Sequence, residues 1–214
     1  MKQWHFAVQI GLFSGLCLAS SLASTQVFAG QISTNLTLTS NYIWRGVSQT
    51  NDEAAVQGGV DYTINKKFYI GAWTSNVKNG NQGDYELDLY GGYTDKFGEF
   101  DFDAGIITYQ YPGNAGIEDF TEIYAGTANK NYSAKLSLNT SDSDFYLEGA
   151  ADFELPDKYL LTAHLGIYSF DKASNEDYND YSVTISKGEI SFMVSDTDLT
   201  NASIKVNVSW NKSF

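Results

Sequence analysis

Apolar and polar residues alternate along nearly the whole of this chain, in about twelve stretches running from Leu36 to the end of the sequence. A period of two belongs to extended strands, because successive side chains point to opposite faces. The clearest stretch sets Tyr85, Leu87, Leu89 and Tyr93 against Asp84, Glu86, Asp88 and Tyr90. The next sets Phe100, Phe102, Ala104 and Ile106 against Asp101 and Asp103. Elsewhere Asp61 opposes Val60 and Tyr62, Lys135 opposes Leu136, Glu148 and Asp152 oppose Leu147 and Phe153, and His164 opposes Leu165. The first stretch places Leu36, Leu38, Tyr42 and Trp44 on one face and Arg45 on the other. The last carries Lys205 on its polar face. Two stretches cannot be phased. Phe68 to Val77 is apolar on both faces, and Glu122 shares a face with Phe120 and Tyr124.

A soluble sandwich also alternates, but its outward faces mix polar residues while its apolar faces meet in one core. Here nearly every stretch has one strongly apolar face and one face of Asp, Glu, Asn, Ser and Thr. The connections decide further. Short turns at 65–67, 94–98, 129–130, 156–158 and 187–188 alternate with mostly longer connections at 46–52, 78–83, 111–118, 170–179 and 196–201. Outer-membrane barrels place short turns on the periplasmic side and longer loops outside. The fold expected is therefore all-β: a closed, antiparallel, up-and-down transmembrane β-barrel of about twelve strands, with both termini on the short-turn side. Tyr42, Trp44, Tyr62, Tyr69, Tyr93, Tyr132, Tyr159, Tyr181 and Trp210 fall near strand ends, as interfacial aromatic girdles do. The short turns carry Lys66, Lys67, Lys96, Lys130, Lys158 and Lys187, whereas the longer connections carry only Lys78 and Lys172.

Residues 1–29 read as a secretory signal peptide, with Lys2 before an apolar run and small residues at Val27 and Ala29. Cleavage before Gly30 leaves 30–214 as the barrel and removes Cys17, the only cysteine, so no disulfide or thiolate chemistry is expected. With Lys2 gone, 12 basic and 26 acidic residues give a net charge of −14, which argues against nucleic acid as a partner. The expected location is the outer membrane of a Gram-negative cell, with membrane lipid as one partner. The terminal stretch ending in Phe214 supplies the aromatic end that the barrel-insertion machinery recognises, although Lys212 departs from that pattern. The oligomeric state is not legible.

Closing the barrel puts the polar faces inside. The expected pore lining is Arg45, Asp61, Asp84, Glu86, Asp88, Asp101, Asp103, Lys135, Glu148, Asp152, His164 and Lys205. The carboxylate excess favours cations over anions in an aqueous lumen. Catalysis is not expected: a serine hydrolase needs a base beside its nucleophile, and the one mature histidine, His164, has no serine two residues away on its face. Asp171 to Asp180 is acidic but lacks the ordered spacing of a calcium loop, so neither metal nor cofactor is expected.

The segment Leu38-Thr39-Ser40-Asn41-Tyr42-Ile43-Trp44-Arg45-Gly46-Val47-Ser48-Gln49-Thr50 is distinctive. Together with Gly71-Ala72-Trp73-Thr74-Ser75-Asn76-Val77 and Glu86-x-Asp88-x-Tyr90-Gly91-Gly92-Tyr93 it resembles the proteobacterial TorF porin family, formerly the conserved hypothetical family Gcw-chp. The resemblance implies an outer-membrane barrel and supplies no catalytic or ligand residues. On this reading the chain passes small hydrophilic solutes passively; a non-conducting barrel and a soluble exported β-protein are the alternatives. Arg45 is expected near the outer end of the first strand, facing carboxylates of the fourth strand or of a folded-in loop, with Gly46 allowing a tight turn.

Overall fold

The computed structural model describes residues 30–79, 82–113, 116–171 and 175–214; the signal-peptide reading of 1–29 and Lys172 lie outside them. Twelve long strands follow one another: β1 (Gln31–Thr39), β2 (Ala55–Thr63), β3 (Phe68–Asn79), β4 (Gln82–Phe97), β5 (Phe100–Gln110) and β6 (Phe120–Ala128). Then come β7 (Tyr132–Asn139), β8 (Phe145–Leu155), β9 (Tyr159–Ser169), β10 (Tyr178–Lys187), β11 (Ile190–Thr197) and β12 (Lys205–Ser213). Each pairs antiparallel with its neighbours in sequence, and β12 closes onto β1 with Leu38 opposite Trp210. The result is the closed up-and-down barrel that the alternation implies, with no sheet edge left open. Among the described residues the only helical element is a 3₁₀ turn at Pro156–Lys158.

The apolar faces point outward all round the barrel. Val60, Leu89, Ile106, Leu147, Val183 and Val208, each on a different strand, are exposed. An apolar surface that encircles a protein is suited to hydrocarbon rather than water. At the short-turn end Tyr62, Tyr93, Tyr132, Tyr159 and Trp210 ring the outside, and Phe68 packs edge-on against Tyr93 with centroids 5.1 Å apart. Lys212, the departure in the terminal stretch, is an outward residue whose ammonium pairs with Glu189 in the turn between β10 and β11, which also accepts the Trp210 indole N–H at 2.9 Å.

Three girdle assignments are corrected. Tyr42 and Trp44 do not continue β1, because the strand leaves the wall after Thr39, and Tyr69 faces inward. Two connections are corrected as well. The 78–83 connection is largely ladder, paired as far as Asn79 opposite Gln82, and residues 94–97 belong to β4.

The strands that resisted phasing have aromatic inner faces. Tyr69, Trp73 and Val77 of β3 and Phe120, Glu122 and Tyr124 of β6 all point into the barrel. Space for these rings comes from glycines on neighbouring strands. A Cβ on Gly71 would meet the Tyr90 ring at 2.4 Å, and one on Gly92 would meet the Tyr69 hydroxyl at 2.2 Å. The rings lie against bare backbone, and their hydroxyls reach carboxylates. Tyr90 donates to Asp61 at 2.6 Å and Tyr69 donates to Asp103 at 2.7 Å.

Candidate functional site: a hairpin across the lumen

Between β1 and β2 the chain turns into the barrel rather than away from it. Ser40 N donates to the Val208 carbonyl at 2.9 Å, and Thr39 Oγ1 donates to Asn207 at 2.5 Å, holding the departure point against β12. Asn41 then organises the segment: its amide donates to Asp52 at 2.8 Å and its carbonyl oxygen accepts from Ser48 at 2.7 Å. Ile43–Trp44 pairs with Val47–Ser48 to form a minimal hairpin. Its two turn residues, Arg45 and Gly46, have φ of 49° and 78°. Two successive positive φ values are the signature of a type I′ turn. Gly46 is required for space as well, since a Cβ there would meet Thr197 at 2.4 Å and Asp180 at 2.7 Å. Arg45 has no such freedom, and a non-glycine residue held at positive φ costs about 1–2 kcal/mol.

What holds Arg45 there is its side chain. Nη2 donates to Glu122 Oε2 at 2.8 Å, with side-chain exposures of only 6% and 3%. The guanidinium carbon lies 4.2 Å from the centroids of Trp44 and Tyr146 and 4.7 Å from that of Tyr168. Cation–π contacts of this kind strengthen when desolvated. The rest of the hairpin reaches other walls. Tyr42 donates to Glu86 at 3.2 Å and packs edge-on against Trp73, while Trp44 meets Tyr109, Phe120 and Tyr168. One short segment therefore touches strands on all sides of the lumen and narrows it at Arg45. Beside the turn a cavity of about 40 Å³ remains between Arg45, Lys135, Glu148, His164 and Asp180, room for a few water molecules. A vestibule of about 510 Å³ lies on the long-connection side, lined by Thr50, Glu53, Lys78 and Asp84.

The remaining candidate residues fall on the inner wall, spread along its height. Glu86 and Asp88 are 2% and 1% exposed on β4, beneath the hairpin. Asp152 accepts from Thr162 at 2.6 Å, Asp101 pairs with Lys96 at 3.0 Å at the short-turn rim, and Asp84 accepts from Gly113 N at 2.6 Å at the opposite end. Lys135 pairs with Glu148 at 2.7 Å, and His164 lies 3.4 Å from both Glu148 and Asp180. Lys205 bridges to Asp52 of the inward segment at 2.7 Å; with Asn41 it holds that carboxyl below the usual carboxylate range.

Three expectations change. Arg45 does not project from β1 but from the inward hairpin, and its partner is Glu122 of β6 rather than a carboxylate of β4. The lumen is crossed by side chains at that level instead of being uniformly aqueous. Asp180 belongs to the β10 wall, not to a solvated loop, because Tyr178–Lys187 is strand. Sequence reasoning missed Glu122, Asp180 and the ring-bearing inner residues Tyr109, Tyr146 and Tyr168. The phase conflict around Glu122 was the available signal, since it marked an inner face carrying rings and charge together.

A closed twelve-stranded barrel with an apolar exterior, a carboxylate-rich interior and an inward hairpin is a porin-like architecture. The chain matches, over residues 24–210, the family described as bacterial protein of unknown function (Gcw_chp), and belongs to it. Among solved structures it is similar to a KdgM porin, at 12% identity and a TM-score of 0.60, over 85% of this chain and 99% of that one. A second, a KdgM porin in complex with disordered oligogalacturonate, is similar at 11% identity and a TM-score of 0.54, over 87% and 99%. Likeness at such identity is likeness of fold. No curated protein matches the sequence.

Proposed function

We propose that this protein is an outer-membrane channel for passive diffusion of small hydrophilic solutes, that it favours cations, and that the hairpin at Arg45 sets its aperture. The porin label of the TorF family belongs with this reading, as do export by cleavage near Ala29, insertion through the Phe214 strand and a non-enzymatic role. The observation that carries it is the charge of the inner wall. Asp61, Asp103, Glu122, Glu148 and Asp180 stand on the inner wall against Arg45 and Lys135, a negative balance inside a low-dielectric shell. The oligogalacturonate held by one of the similar porins is a polyanion and is not carried over, because this lumen would repel it.

Liposome swelling tests the proposal. With the protein reconstituted, an organic cation such as lysine is expected to enter faster than an anion of matched size such as glutamate. Faster anion entry, or swelling no greater than in protein-free vesicles, would overturn it. The second outcome would favour the other reading that the hairpin suggests, a barrel kept shut by its own inward segment.

A further inference from the structure

We propose that Glu122, with the rings of Tyr146 and Tyr168, forms a lumenal binding site for solutes bearing a guanidinium or alkylammonium group, and that Arg45 occupies it as an internal ligand. The inference rests on the channel reading only for the route by which a solute arrives.

Three observations carry it. The site has the composition of an organic-cation cage: one carboxylate, buried to 3% exposure, and ring faces 4.2 and 4.7 Å from the bound cation's centre. Besides Arg45 the carboxylate accepts from the Tyr109 hydroxyl at 3.4 Å, a long contact, so without Arg45 Glu122 must gain another cation or a proton. Arg45 also provides it imperfectly. A guanidinium can grip a carboxylate through two parallel N–H groups, yet here one nitrogen bonds Glu122 while Nη1 is buried without a hydrogen bond. The backbone carrying it is held at a φ of 49°, a conformation that asparagine or glycine adopts more readily. A free solute carries no such constraint and can turn both nitrogens to the carboxylate. Its binding would detach Arg45, so cargo and constriction compete for one anchor.

Thermal unfolding of the detergent-solubilised barrel tests this without reference to conductance. Arg45→Ala removes the internal ligand, and ethylguanidinium restores the deleted atoms, while ethylurea is a neutral molecule of the same shape. Ethylguanidinium chloride is expected to raise the melting temperature of Arg45→Ala, at matched ionic strength, where ethylurea does not. The half-saturating concentration should be at least about tenfold higher when Glu122→Gln is added, the loss of one charge-assisted contact. Wild type should respond far less than Arg45→Ala, because its site is filled. No rise in Arg45→Ala, an equal rise with ethylurea, or an equal rise in wild type would overturn the proposal. Should Arg45→Ala fail to give the heat-modifiable band of a folded barrel, Arg45→Gly serves instead, since glycine takes the positive φ freely. A protein that binds ethylguanidinium but passes no solute sinks the channel reading alone; one that conducts but does not bind sinks only this inference.

Discussion

Glu122→Gln is expected to open the lumen. The substitution keeps the shape of the side chain and removes its charge, leaving the Arg45 guanidinium, 6% exposed, without the carboxylate it is hydrogen-bonded to. Removing one partner of a buried ion pair costs about 3–5 kcal/mol. The barrel wall need not absorb that cost, because its strand ladder is complete without the hairpin. The hairpin can absorb it by carrying Arg45 out to water, which also releases the positive φ at that residue. The expected results are a larger single-channel conductance and trypsin cleavage after Arg45 from the long-connection side, with the heat-modifiable band retained. Pairing Glu122→Leu with Arg45→Met should return conductance toward wild type, since an apolar pair of similar volume replaces a buried ion pair at little cost. The two sites touch, so their effects should be strongly non-additive. Additive effects would place the hairpin's anchor elsewhere.

Removing the hairpin altogether should have the larger effect on current. Thr39 of β1 and Ala55 of β2 are direct partners in the ladder, so a two-residue turn can join the strands in place of residues 40–54. The barrel would lose Tyr42, Trp44 and Arg45 from its interior and keep every wall strand. Conductance should rise several-fold and cation preference should sharpen. Its loss takes away a positive charge and uncovers Glu86, Asp88 and Glu122, each now buried. The melting temperature should fall, because Tyr109, Phe120 and Tyr168 lose the ring that packs against all three. A hairpin-less barrel that folds but conducts no better than wild type would show that the aperture is set at another level.

The barrel itself was legible because its rule is local. Wherever one face meets hydrocarbon, alternation survives in the sequence, as in Tyr85 to Tyr93 of β4 and Phe100 to Ile106 of β5. The inward hairpin was not legible for the same reason. Tyr42 and Trp44 continue the alternation of Leu36 and Leu38, and nothing local distinguishes a ring at the membrane interface from one that packs across a lumen. Only Gly46, which permits a tight turn, pointed to a reversal there. Glu122 and the rings of β3 were obscured because the inner wall is aromatic where it meets the hairpin, which erases the contrast on which phasing depends. The carboxylates paired with tyrosine hydroxyls, Asp61 and Asp103, lie on the inner face of their strands, where parity alone sets them. Their partners, each two strands away, were beyond it.

On the proposed reading, water and cations pass through an acidic lumen narrowed at one hairpin. The reversal potential of the wild-type channel in a potassium chloride gradient across a planar bilayer tests it most directly. A potential of the sign carried by potassium is expected, and it should move further in that direction when residues 40–54 are replaced. A potential of the chloride sign in either protein would overturn that reading.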